Sequence, residues 1–417
     1  MRLEALTAVP SSLGDRVRAM TQPYITLAFA LLGVSVFGCL FLGARGFAPV
    51  VGIAGVILLP YARISRADWP GIGLLAALIL WSALTIIWTP APNLHVFTAK
   101  GLTRLTVLHM AMQLGLCLSF VTAAARLDAA HAKRSLTYLA AGLLAVQALL
   151  IEESLSHATV YRAVLAMAHY PPLRLDMTIR AFTQSGHVSA VLAWPLGLGL
   201  YRLGRPRAAL ALALFPPVLL LLLRGFAPTA GLLVSLPVFF LVKTYGRKAV
   251  MGLMAVTVAY MLLTPLAMMA VAHFGLYQTY GGHLPPSWSD RLRIWSFVAD
   301  QLQHSPLRGA GLDASRVFAE VVPLHPHNNP LQLWFELGLP GALLGTAFWA
   351  WLLRRIADRS ETGRLFAAGA SATLTVYMVI GAVGFGLWQE WWLCVGALGM
   401  AACVVMGKFV DPPRAAA

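Results

Sequence analysis

Twelve apolar runs, read as candidate membrane spans, dominate this chain of 417 residues. They fall at 24–43, 47–64, 72–89, 104–125, 136–155, 188–203, 208–223, 226–243, 250–272, 330–353, 364–387 and 390–408. A span needs about 20 predominantly apolar residues, and nothing else in the sequence competes with so many of them. Only 11% of the residues are charged, against about 25% in a soluble protein, which excludes a large soluble enzyme and a disordered chain. The stretch 208–243 is nearly continuous and too long for one span, so it reads as a hairpin turning at Arg224-Gly225. The sequence predicts an all-α polytopic membrane protein with about 12 transmembrane helices and a mainly helical segment between the ninth and tenth. As one integral domain it divides into spans 1–9 over 1–272 with a loop at 156–187, a loop at 273–329, and spans 10–12 over 330–417.

An even number of spans leaves both termini on one side. Of the 31 lysines and arginines, 20 fall on the terminal side and 11 opposite. The clusters Arg126/Lys133/Arg134, Arg202/Arg205/Arg207, Lys243/Arg247/Lys248 and Arg354/Arg355/Arg359/Arg364 all lie with the termini, which the positive-inside rule makes cytoplasmic. Most of the net charge of +15 therefore serves topology and contact with the lipid bilayer, and no nucleic-acid partner is expected. The first run follows a polar lead containing Arg16 and Arg18 and reads as an uncleaved span rather than a signal peptide. The four cysteines (Cys39, Cys117, Cys394, Cys403) fall inside spans as isolated small hydrophobes, without metal or disulfide spacing.

Parity places the two long connections, 156–187 and 273–329, on the outer side. Within the first, residues 156–167 suit a short interfacial helix. Within the second, Leu292, Trp295, Val298 and Leu302 recur at helical spacing, with Ser289 or Asp290 as the N-cap, until Pro306 and Gly309-Ala310-Gly311 end the pattern. Arg180, Arg224, Arg291 and Arg293 lie near span ends on this side. Arginine near hydrocarbon is costly unless it is paired or snorkels, and an outer pocket of unpaired guanidinium groups suits a phosphate-bearing ligand. The segment Leu324-His325-Pro326-His327-Asn328-Asn329-Pro330 puts two histidines and two asparagines directly before a span. Pro330 fits the first helical turn and Asn329 its cap. A metal site is not expected at His325-x-His327, because no carboxylate or thiol cluster accompanies it. A neutral histidine at the boundary can instead take a proton from a hydroxyl.

Three pieces occur in order: Arg291 four residues before Trp295; Ser305-Pro306-Leu307-Arg308-Gly309-Ala310-Gly311-Leu312; and His327-Asn328-Asn329-Pro330-Leu331-Gln332, followed by Glu336-Leu337-Gly338-Leu339-Pro340-Gly341. Together, over about residues 180–345, they resemble the O-antigen ligase/O-antigen polymerase superfamily of C-type membrane glycosyltransferases. The family's Ser-Arg-Gly at a span end stands here as Leu223-Arg224-Gly225, and an asparagine before the sixth span stands as His187. The resemblance implies a glycosyltransferase of the bacterial inner membrane with a periplasmic site. Its donor would be an undecaprenyl-diphosphate-linked glycan and its acceptor a sugar hydroxyl of lipid A–core. A polymerase would instead lengthen the lipid-linked glycan; the His-x-His-Asn form and the moderate outer loop favour a ligase. A twelve-span transporter would want charges near the midplane and two similar halves, which the sequence lacks.

Joined to the residues, this implies a reaction without cofactor or metal. The departing diphosphate needs charge neutralisation, which fixed arginines supply. Arg224 and Arg291 bind it, and Arg180 assists or contacts core phosphates. His327 is the first candidate for catalytic base and His325 the second. Gln332 and Glu336, one turn apart, orient a histidine or a sugar, and Asn328 joins the substrate-binding set. With no Asp or Glu placed as nucleophile, direct attack inverts the anomeric carbon.

Overall fold

A computed structural model describes residues 13–42, 44–91, 106–169, 175–223 and 225–411. Every regular element among them is helical. The long helices are α1 (Leu13–Leu42), α2 (Ala44–Leu58), α3 (Trp69–Thr85), α4 (Thr106–Ala124) and α5 (Ala129–Leu155). After the short α6 (Thr159–Met167) come α7 (Leu175–Arg202), α8 (Pro206–Leu223), α9 (Phe226–Tyr245) and α10 (Arg247–His273). The connecting segment holds α11 (Leu276–Tyr280) and α12 (Pro286–Leu302), and the chain closes with α13 (Asn329–Arg359), α14 (Arg364–Val383) and α15 (Glu390–Met406). Seven described helices are long and apolar enough to cross a membrane, and four shorter apolar stretches lie in α1, α2, α8 and α15. With α7 these match the twelve sequence-predicted spans in place and order. The chain is an all-α polytopic membrane protein.

Hydrophobicity does not draw such helices together inside lipid, so close packing must. Helices α1 and α5 cross where Gly33 meets Gly142; a Cβ on Gly142 would lie 2.0 Å from the Gly33 carbonyl oxygen. The α9–α14, α10–α13 and α4–α15 pairs also pack closely, and α10 and α13 flank the connecting segment 274–328. At the end away from that segment, arginines are paired: Arg247 with Asp358 (2.8 Å), Arg354 with Asp358 (3.1 Å) and Arg355 with Asp68 (3.8 Å).

Three boundaries and the surroundings of two cysteines differ from expectation, each for a local reason. Helix α7 starts at Leu175, well inside the predicted loop 156–187, because the polar run there is itself helical. Helix α12 starts at Pro286 rather than at Ser289 or Asp290, since proline suits the first helical turn. Helix α14 stops at Val383, before the predicted 387, and residues 384–389 form a turn. Cys117 and Cys394 are not isolated, because the Gln113 side-chain amide lies 2.7 Å from Cys394 Sγ and 3.8 Å from Cys117 Sγ; the Cys39 side chain falls outside the described residues. The predicted interfacial helix is α6. Val160, Val164 and Met167 are exposed on it, and the buried Glu153 carboxylate caps its start by accepting from Val160 N and Tyr161 N, both at 3.0 Å.

Candidate active site

Two glycines decide how α13 meets the connecting segment. Gly338 has φ 63° and ψ −160°, a backbone state essentially reserved for glycine, and it breaks α13 in two. The break frees carbonyls, which need new partners inside a membrane protein. The turn after α12 supplies them: Ala310 N donates to Phe335 O and Gly311 N to Glu336 O, both at 2.8 Å. The indole of Trp81 on α3 donates to Leu337 O at 2.8 Å. Gly309 must also lack a Cβ, which would lie 2.5 Å from Glu336 O and from Gly338 N. The Pro-x-x-Gly-x-Gly and Glu-x-Gly pieces of the sequence are thus two halves of one joint.

Directly beside the joint, Glu336 is fully buried. One carboxylate oxygen accepts from Ser315 Oγ (2.6 Å) and Gln332 Nε2 (3.1 Å), the other from Trp388 Nε1 (2.7 Å) and Asp313 N (3.0 Å). Gln332 in turn accepts from Leu387 N at 2.8 Å. Both residues, expected to orient a sugar or a histidine, are buried and fully engaged by protein, tying residues 313–315 and 387–388 to α13. Asn328, expected to bind substrate, is buried and is the N-cap of α13, its Oδ1 accepting from Leu331 N at 2.9 Å. Asn329, predicted as that cap, is the first helical residue, and its amide donates to Phe385 O (2.9 Å) and Gly381 O (3.2 Å).

The last carbonyls of a helix have no intrahelical donor and carry its negative dipole end. At the C-terminus of α14 the candidate residues occupy them in sequence. Arg291 Nε donates to Val383 O and its Nη1 to Ser287 O, both at 2.6 Å, while its guanidinium lies 5.4 Å from the centre of the Trp288 ring. Among the described residues no carboxylate comes within salt-bridge distance of Arg291; the neighbouring Asp290 faces Arg293 at 3.8 Å. Burial pulls the Arg291 pKa down, opposed by Asp290, yet a guanidinium keeps its charge.

One residue further along the same carbonyl row, His327 Nδ1 lies 2.7 Å from Gly384 O. A carbonyl only accepts, so Nδ1 carries the proton and Nε2 keeps a lone pair, with no hydrogen bond to it among the described residues. His327 has φ 56° and is half-buried; burial lowers its pKa, the Gly384 bond raises it and Arg291 lowers it again. Its ring sits 4.2 Å from that of His325. His325 is buried, and its Nδ1 accepts from the His327 backbone N–H at 3.2 Å. Its Nε2 faces the side-chain amide nitrogen of Gln389 at 3.1 Å. Trp295, buried on α12, fixes this loop by donating from Nε1 to Pro326 O at 2.9 Å.

Burial first, then His327, Arg316 and Arg291, hold the His325 pKa down to about 3. An unfolded histidine takes up a proton near 6.5, so stability is complete above that pH and is lost as the pH falls from 6.5 toward 3. The expected slope from this group approaches about 1.4 kcal/mol per pH unit. Unfolding midpoints of wild type and His325→Gln across this range check it; equal slopes would contradict the assignment.

The geometry gathers Arg291, His325 and His327 around one helix end. Arg224 lies outside the described residues; Arg180 lies on α7, with its side chain outside them. His187, also on α7, packs edge-on against Phe385 at 4.6 Å and so touches the same turn. Residues 381–389 went unread as part of the site because apolar residues carried the predicted span through 387. The glycines at 381, 384 and 386, followed by Trp388-Gln389, were the available signal. Asp313 and Arg316, also missed, follow the Pro-x-x-Gly-x-Gly turn directly.

Residues 208–346 match the family model described as O-antigen ligase. Three Rickettsia proteins, each provisionally named a polysaccharide ligase, are similar to the chain. That of Rickettsia conorii is 28% identical over 238 residues, covering 54% of this chain and 56% of its own. Those of Rickettsia felis and Rickettsia bellii are 31% and 32% identical, each over 30% of this chain and 33% of their own. The chain spans about half the length of the first of these relatives and a third of the other two. No solved structure is significantly similar to it. Fold and site together define a polytopic membrane protein with charged and titratable side chains gathered at one helix end. The matched segment holds Arg291, His325, His327 and Glu336, so the similarity to O-antigen ligase covers the residues gathered at this site.

Proposed function

We propose that this chain is an O-antigen ligase. It transfers a glycan from undecaprenyl diphosphate to a sugar hydroxyl of lipid A–core, at the periplasmic face of the bacterial inner membrane. The observation that carries this reading is the pairing on consecutive carbonyls, Arg291 on Val383 O and His327 on Gly384 O. One presents a positive charge and the other a basic lone pair, both held by the same rigid helix end. The basic clusters at the opposite end of the bundle support cytoplasmic termini and an outward-facing site.

In the reaction, His327 Nε2 takes the proton of the acceptor hydroxyl as its oxygen attacks the anomeric carbon. The bond from that carbon to the diphosphate oxygen breaks, and the electron pair leaves with the diphosphate. Arg291 offsets the charge developing there, with Arg224 and Arg180 in supporting roles. His327 then releases its proton to water. A single displacement inverts the anomeric centre, and guanidinium charge takes the place of a divalent cation. Gln332, Glu336 and Asn328 act by holding the loop, not by touching sugar.

The test is transfer by purified protein in lipid vesicles, from lipid-linked glycan to core lipid, with EDTA present. Wild type forms core-attached glycan, and Arg291→Gln lowers the rate on the order of 10²-fold, as for the loss of one oriented electrostatic donor. Near-wild-type activity of Arg291→Gln would remove the diphosphate role, and strict dependence on added divalent cation the metal-free scheme. Lengthened lipid-linked glycan as the product would replace ligase by polymerase.

A further inference from the structure

Arg316 lies on a one-turn 3-10 helix, Ala314–Phe318, directly after the glycine joint. Its Nε lies 3.2 Å from Asp313 Oδ1, and its side chain is 60% exposed while that of Asp313 is 5% exposed. Asp313 also accepts a short hydrogen bond from Thr106 Oγ1. An arginine that neutralises a buried carboxylate frequently meets it with the two-nitrogen fork. Here one nitrogen is the tether, and both Nη groups make no hydrogen bond among the described residues. The tether is stiff: Asp313 N and Ser315 Oγ, on either side of the turn, both bind the Glu336 carboxylate, at 3.0 and 2.6 Å. Trp388 binds that same carboxylate, and the adjacent Gln389 meets His325. Arg316 is thereby fixed to the scaffold that holds the histidine pair.

We propose that Arg316 is a second anion-binding guanidinium of this site, gripping the donor's diphosphate together with Arg291. This rests on the ligase reading above and adds to it a residue that neither the sequence motifs nor the comparisons assign. That both cations act on one imidazole agrees with it, since each depresses the protonation of His325. A diphosphate offers several anionic oxygens, more than one guanidinium can satisfy, and Arg291 already spends two of its nitrogens on carbonyls.

The experiment measures donor and acceptor KM, and inhibition of transfer by inorganic pyrophosphate, for wild type, Arg316→Gln, Arg316→Lys and Arg291→Gln in vesicles. Arg316→Gln is expected to raise the donor KM and the half-inhibitory pyrophosphate concentration about tenfold, a typical loss for one charge-assisted contact. Arg316→Lys, which keeps charge but not the fork, falls between and covers the case in which the glutamine variant is poorly folded. The effect should persist in an Asp313→Asn background. Disappearance there would reduce Arg316 to a counter-ion, and an effect confined to the acceptor KM, lost with dephosphorylated core lipid, would move it to the acceptor's phosphates. Either result overturns the inference. If Arg291→Gln responds and Arg316→Gln does not, the inference fails alone; if wild type does not transfer from undecaprenyl diphosphate, the ligase reading fails and the inference with it.

Discussion

Replacing His327 by alanine is expected to lower the rate of glycan transfer by about 10²–10⁴-fold, the usual worth of a positioned general base. The variant should remain folded, since His327 is only half-buried and its side chain makes one hydrogen bond, to Gly384 O. His327→Asn separates the two roles of the ring. Asparagine tolerates the φ of 56°, and its amide can donate to the same carbonyl, but it takes up no proton. Restored activity in His327→Asn would make the residue a positioning group and end its assignment as base. The pH profile gives a second reading. Burial and Arg291 hold the imidazolium below its ordinary 6.5, so transfer should stay level through neutral pH and fall only in acid. Removing the Arg291 charge stabilises the protonated ring and should move the acid limb upward. An acid limb that stays in place in Arg291→Gln would contradict the coupling.

The second large effect concerns Gly338. Alanine there must adopt φ 63° and ψ −160°, and its Cβ would stand 2.4 Å from Leu307 O and 2.5 Å from Gly309 N. Both are backbone atoms, so no side chain can swing aside. A non-glycine residue in this region costs about 1–3 kcal/mol before any clash, and a total loss of about 3 kcal/mol or more is expected for Gly338→Ala. Activity should fall with it, because the joint sets the angle at which the first half of α13 carries Gln332 and Glu336 to the site. Gly309→Ala strains the same contact, so the double variant should cost clearly less than the two single losses added. A thermal unfolding midpoint of Gly338→Ala close to wild type would show that the helix break is not required.

The helix count was legible because burial in lipid writes itself into composition. Most backbone groups of a span are satisfied within its own helix, so a span reads as a long apolar run even where, as in α13, a break hands some carbonyls to neighbouring segments. The break between α8 and α9 followed from length alone, and the amphipathic face of α12 from its spacing: Trp295, Val298 and Leu302 are buried as the pattern predicts. Legibility failed where apolar residues take part in polar architecture. Residues 381–387 read as the end of a span, yet what matters there is their carbonyl oxygens and two backbone positions, which any side-chain pattern hides. The cap of α13 lies one residue earlier than expected, on Asn328 rather than Asn329, because either asparagine satisfies the local rule and only the observed φ of −152° at Asn328 separates them.

Histidine and arginine identities, and their place in the segment between α10 and α13, belong to the sequence. So does the pairing of a glycine-rich turn with a glycine inside the following span, although nothing local says the two interlock. Which histidine nitrogen is free, by contrast, depends on a carbonyl 57 residues away. Whether Arg291 stands without a carboxylate depends on a helix end 92 residues away. Side-chain type determines the chemistry available, and that is fixed residue by residue. Tautomer, partner and charge balance arise from contacts between distant segments, and only the packed bundle decides those.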